Sequence, residues 1–92
     1  MTSAGADICV RGVVQGVGFR YFCRQMAVQR GLVGWARNVS DGSVSLHVEG
    51  DRASIEIFIS ELKVGPSNAN VTEVGVEWTP FSGEHQSFYI AR

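Results

Sequence analysis

The chain reads as an α+β domain: a two-layer, ferredoxin-like sandwich in the order βαββαβ, with two helices on one face of an antiparallel sheet. Three observations predict it. Apolar residues alternate with a period of two in several short segments, two stripes at helical spacing interrupt them, and an Asp-Gly turn joins the central pair. At 92 residues, 45% of them hydrophobic, the chain is long enough for one core and too short for two. A single domain over residues 1–92 is expected, with a single site.

From Asp7 to Val14 the segment D-I-C-V-R-G-V-V places Ile8 and Val10 on one face and Cys9 and Arg11 on the other, as in a half-buried strand. Residues 1–6, Met1-Thr-Ser-Ala-Gly-Ala6, carry no such pattern and are expected to form a frayed tail. After Gly16 and Gly18, the positions Phe19, Phe22, Cys23, Met26 and Ala27 make one helical stripe, which Gly31 stops. Two strands follow, about Val33 to Val39 and Val44 to Glu49. They are joined through Ser40-Asp41-Gly42-Ser43 and so should be antiparallel neighbours. A second helix is read from about Asp51 to Lys63, because Ile55, Phe58, Ile59 and Leu62 repeat at helical spacing before Gly65-Pro66; Ile57 lies off that stripe. Val71 to Trp78 reads as a strand, and Ser87 to Ile90 as a short closing one.

Eight Lys plus Arg against nine Asp plus Glu give a net charge of −1, with no basic run to neutralise a phosphodiester backbone. Nucleic acid is not an expected partner. The start of the chain lacks the basic and apolar stretches of a secretory signal, and no apolar run approaches the ~20 residues of a membrane span. A cytoplasmic protein that binds no membrane and works as a monomer is expected. Cys9 and Cys23 form neither a disulfide framework nor a zinc spacing. Cys9 faces outward from its strand and Cys23 belongs to the first helix's stripe, so the two side chains should not meet.

The segment from Gln15 to Arg20, Q-G-V-G-F-R, carries the chemistry. Its glycines can take backbone angles closed to other residues, so consecutive amide hydrogens can converge on one concavity at the positive end of the first helix. Arg20 adds to the argument. A cation in a helix's first turn opposes the helix dipole by a few tenths to ~1 kcal/mol unless an anion lies between them. Its guanidinium also matches phosphoryl oxygens in geometry. The plainer alternative is a strand-to-helix turn with a solvated arginine. No Walker loop or dinucleotide fingerprint is present.

Together, V-V-Q-G-V-G-F-R at Val13 to Arg20 and G-W-A-R-N at Gly34 to Asn38 closely resemble the two signature motifs of the acylphosphatase family. The likeness also takes in the D-G-S-V hairpin, the V-E-G at Val48 to Gly50 and the closing F-Y-I. It implies hydrolysis of a small-molecule acyl phosphate to a carboxylate and inorganic phosphate. Arg20 falls on the family's catalytic arginine and Asn38 on its catalytic asparagine. The backbone of Gln15, Gly16, Val17, Gly18 and Phe19 falls on its phosphate cradle. The resemblance implies no metal and no organic cofactor. Ala36 and Gly65-Pro66-Ser67 depart from the family's usual pattern, away from the inferred chemistry.

On residues alone, Asn38 also reads as a turn residue or the first position of an N-x-S sequon. His47 and His85 lie away from both motifs; His47 reads as a half-exposed strand residue, and Trp35 and Trp78 as cover for the sheet. Three rivals compete. A non-catalytic domain could bind an anion or small ligand on the same loop. An RNA-binding module could share the fold, although Phe19, Tyr21 and Phe22 fall at a helix start rather than on a central strand. The third is the acylphosphatase-like module found within larger maturation proteins, which acts there on carbamoyl phosphate.

Overall fold

In the computed structural model, which describes residues 2–92, the chain runs β1 (Ser3–Val13), α1 (Phe19–Gln29), β2 (Val33–Asn38), β3 (Val44–Asp51), α2 (Arg52–Val64), β4 (Asn70–Thr79) and β5 (Phe88–Ile90). The strands form one sheet in the order β4-β1-β3-β2-β5. The two β-α-β halves interleave, so that β1 and β3 lie at the centre, the arrangement the alternation and stripes predict.

Cross-strand pairs sort the sheet into two faces. Ile8 pairs with Leu46 and Val76, Val10 with Val44 and Val74, and Ala36 with Leu46. This apolar face packs against the helices: Phe19, Cys23 and Ala27 of α1 and Ile55, Phe58 and Leu62 of α2 are all buried against it. Ile57, off the stripe, is exposed as its position requires. The two stripes therefore aim their side chains at one surface, and burying large residues such as Phe19 and Phe58, worth about 1.5–3 kcal/mol each, drives the layers together. Burial also pushes the Cys23 thiol's pKa up, which leaves it an inert core residue.

Two expectations need correction. The frayed tail does not extend over Ser3 to Ala6: those residues continue β1 and pair with Asp51 to Val48, with Ala6 fully buried. Alanine and glycine carry little strand propensity, so nothing local marks this stretch; the neighbouring strands impose it. Met1 lies outside the described residues. The sheet is also not wholly antiparallel, because the closing strand β5 runs parallel to β2, with Gly34 opposite Phe88 and Ala36 opposite Ile90.

The reason for the parallel strand lies in the connection before it. β4 is at one edge of the sheet and β5 at the other, so residues 80–87 must cross the whole face that the helices leave open. Glu49 holds them there. Its carboxylate is 1% exposed and accepts hydrogen bonds from the Ser82 amide (3.2 Å), the Ser82 hydroxyl (2.8 Å) and the Gly83 amide (3.0 Å). His47 Nε2 lies 2.9 Å from the same carboxylate, and His47 Nδ1 lies 2.7 Å from Asp7. A carboxylate at each ring nitrogen favours the doubly protonated imidazole, which can donate to both. Burial alone would lower its pKa; the bonds to Glu49 and Asp7 outweigh burial and raise it.

Gly34 shows how tightly β2 and β3 approach. It has φ of 138°, and a Cβ there would run into the carbonyl of His47, so the first residue of the G-W-A-R-N motif is fixed by backbone contact.

Burial by itself would raise the pKa of Glu49, but its bonds to His47, Ser82 and Gly83 lower it from 4.5 to about 2. A carboxylate depressed in the folded state contributes stability above its unfolded pKa and loses it as pH falls through the folded one. The wild type should therefore lose on the order of 3 kcal/mol between about pH 4.5 and pH 2 from this group. Urea midpoints measured across that range should fall steeply for the wild type. Glu49→Gln should start lower at neutral pH and follow a flatter curve; parallel curves would remove Glu49 as the acid-labile anchor.

Candidate active site

β1 ends where residues 14–18 turn into α1, and the turn needs two left-handed backbone positions, Gly16 at φ 73° and Gly18 at φ 76°. Gly18 is the N-cap of α1 and, having no side chain, offers no acceptor to the helix's first amides; no acidic residue lies in the first turn. Among the described residues, the backbone amides of Gly16 to Tyr21 donate to no acceptor of the chain. Unpaired amides at a helix N-terminus, where the dipole is positive, form a concavity suited to an anion.

Arg20 projects from this turn, half-buried, without an ion-pair partner among the described residues. Its Nη1 donates to the carbonyl of Ala91 (3.0 Å), whose own amide donates to Ala36 of β2 (2.8 Å). A neutral carbonyl fixes the guanidinium without cancelling its charge, leaving the remaining N–H donors free for a ligand. Phe19 points the other way, into the core at 1% exposure, so it can offer a ligand only its amide. Val17 likewise packs partly against the core.

Asn38 reaches the same place from the far end of β2. It pairs with Val44 at the start of β3, and alternation puts it on the helix-covered face with Gly34 and Ala36. Its side chain is exposed and makes no hydrogen bond among the described residues. The hairpin beyond it is set by Asp41, which accepts from the Ser43 hydroxyl (2.6 Å) and amide (2.9 Å) and meets Arg11 at 3.2 Å. The Ser43 bonds come first among the causes that hold the Asp41 carboxyl at about 2, below its usual range.

A pocket of about 240 Å³ gathers these pieces: Val14, Gly16, Gly18, Phe19, Arg20, Tyr21, Asn38 and Ile90 line it. No carboxylate and no imidazole is in that lining. A wider hollow of about 580 Å³ on the outside of α1 lies along Tyr21, Arg24, Gln25, Val28 and Gln29 and has no such convergence of donors.

The structure thus brings Arg20 and Asn38 together with the loop glycines, as the motifs imply. It adds what the sequence did not disclose. The Gln15 side chain faces away from the nest and clamps the loop to the hairpin, its Nε2 donating to the carbonyls of Val39 (2.7 Å) and Ser43 (2.9 Å). Both partners are acceptors, which fixes the orientation of the amide. Tyr21 and Ile90 form an apolar rim, and the Ala91 contact is made by main chain, which leaves no trace in residue types. His47, read as an ordinary strand residue, lies in a polar cluster with Glu49 and His85 on the opposite face of the sheet.

Comparison with known proteins matches this architecture. The family described as Acylphosphatase matches residues 6–90. An acylphosphatase of Thermotoga maritima is 49% identical over 83 residues, which is 90% of this chain and 91% of that protein. The crystal structure of acylphosphatase from Bacillus subtilis superposes with a TM-score of 0.93 at 36% identity, covering 97% of this chain and 99% of that one. T. kodakarensis HypF contains a similar region, with a TM-score of 0.84 and 31% identity over 97% of this chain but only 12% of its own length. The match spans the strand-to-helix loop, Asn38 and both layers of the sandwich, and the chain belongs to the acylphosphatase family.

Proposed function

We propose that this chain hydrolyses acyl phosphates by in-line attack of water, holding the phosphoryl group on the backbone of Gln15 to Phe19 and on Arg20, with Asn38 orienting the water. Family membership supports acyl phosphate hydrolysis in general. The observation that carries the finer reading is the convergence on one small pocket of amides and an arginine that, among the described residues, have no acceptor and no counter-ion, together with an exposed asparagine.

An acyl phosphate is a mixed anhydride whose leaving carboxylate is already a weak base, so neither strong protonation nor a covalent intermediate is needed. Positioning and charge stabilisation suffice. The loop amides and Arg20 bind the non-bridging oxygens, which carry negative charge throughout the reaction. The water oxygen bonds to phosphorus as the P–O bond to the acyl group breaks, and the carboxylate leaves with the electron pair. Asn38 has donors and an acceptor but no useful pKa, so it holds the water and does not take its proton. With no carboxylate or imidazole lining the pocket, the proton passes to a phosphoryl oxygen of the substrate. The apolar rim of Tyr21 and Ile90 leaves room for the acyl group.

Turnover of an aromatic acyl phosphate, assayed for three proteins, tests these roles. Arg20→Ala and Asn38→Ala should each lose roughly 10²-fold or more in kcat, the scale of removing a transition-state donor, and only Arg20→Ala should weaken competitive inhibition by inorganic phosphate. Unaltered turnover in either variant would remove that residue from the mechanism. A wild type that binds phosphate without turnover would make the domain an anion-binding module.

Chelation provides a second check: EDTA should leave kcat and KM unchanged, and a rate restored only by added metal would contradict the mechanism. Gln15→Leu should reduce stability by about 1–2 kcal/mol, the scale of two lost hydrogen bonds. At temperatures where the variant is fully folded, kcat should fall about tenfold, since small misplacements of a positioned site cost that much or more. Full activity in the folded variant would limit Gln15 to a structural role.

A further inference from the structure

His47, Glu49 and His85 stand on the open face of the sheet, away from the proposed active site. Glu49 lies near the end of β3 whereas Asn38 pairs with Val44 at its start, and the two project to opposite faces. The strand alternation puts His47 and Glu49 side by side, and the crossing loop lays His85 over them, with the two imidazole centroids 5.2 Å apart. One donor atom from each of the three residues lies within 4.8 Å of the others.

From this geometry we propose that His47 Nε2, His85 and Glu49 Oε2 form a structural binding site for a divalent transition metal of the zinc type. Two imidazoles and a carboxylate make a tripodal ligand set such an ion accepts, with water at a fourth position.

Three further observations support it. The two carboxylate oxygens of Glu49 share the loop unequally: Oε1 accepts the amides of Ser82 (3.2 Å) and Gly83 (3.0 Å), while Oε2 faces His47, accepts the Ser82 hydroxyl (2.8 Å) and takes a longer share of the Ser82 amide (3.3 Å). Ligation through Oε2 would leave the Oε1 bonds to the Ser82 and Gly83 amides in place. His47 already has an outer partner, since Asp7 sits 2.7 Å from Nδ1, the carboxylate–histidine arrangement that orients metal-bound imidazoles. His85 is half-buried and makes no hydrogen bond among the described residues, so it has a lone pair to give. The ion would occupy the position of the proton that His47 shares with Glu49. Bonds of about 2.0–2.2 Å place tetrahedral donor atoms roughly 3.3–3.5 Å apart, so His47 and Glu49 need to separate by a few tenths of an ångström and the loop bearing His85 needs to close slightly.

The consequence is a clasp that fastens the crossing loop to the centre of the sheet, with no part in phosphoryl chemistry. Zinc titrated calorimetrically into EDTA-treated protein tests it. A Cys9→Ser background excludes the thiol on the same face. One ion should bind per chain and raise Tm, with kcat unchanged. His85→Ala should weaken binding at least tenfold, and Asp7→Asn about tenfold, as outer-shell losses do. Cobalt(II) in place of zinc should give intense tetrahedral visible bands that vanish with His85→Ala. Absence of saturable binding, or binding that His85→Ala leaves intact, would overturn the proposal and leave the cluster a hydrogen-bonded anchor only.

Discussion

Among the described residues the amides at the start of α1 have no acceptor, and Arg20 adds a positive charge where the helix dipole already disfavours one. A typical protein would place Ser, Asp or Asn at the N-cap and an acid in the first turn. Here a glycine occupies the cap, and nothing nearby is acidic. The turn is thus left electrostatically incomplete, in a way that an anion with several oxygens would complete. Much of the remaining architecture serves to keep that incompleteness in register with Asn38.

Three ties do this, each reaching a different element. Gln15 fastens the loop to the carbonyls of Val39 and Ser43, at the two ends of the turn that follows Asn38. Ala91 joins Arg20 to β2 through two main-chain groups. Ala91 follows β5, which pairs with β2 and buries Phe88 in the core, and Glu49 pins the crossing loop that leads to it. A buried carboxylate on one face of the sheet thereby helps to orient a guanidinium on the other. A neutral carbonyl holds Arg20 at the pocket, whereas charged partners hold the scaffold.

How much of this is legible in the sequence varies by element for physical reasons. The two helices are plain, because their stripes of large apolar residues match the helical period and face a single surface. The central hairpin is equally plain, because Asp41 accepts from Ser43 within the turn itself, a local interaction. Ser3 to Ala6 reads as a tail in sequence because Ala and Gly have no pattern of their own and take their strand from neighbours more than forty positions away. The direction of β5 depends on a route across the sheet, which three strand-like residues cannot encode. At the site, Gly16, Gly18, Arg20 and Asn38 are readable as residue types with known chemistry. The Ala91 carbonyl is not, since every residue has one. His47 and Glu49 are two apart on a strand and so legibly share a face, but His85 joins them only through the fold.

Whether the incomplete turn is an anion site built from backbone is open to direct measurement. Amide NMR shifts during titration with inorganic phosphate address it directly. Saturable shifts are expected on the amides of Gly16 to Tyr21 and on the Arg20 side chain, with small changes elsewhere. Shifts spread over the surface, or centred on other elements while those amides stay still, would contradict it.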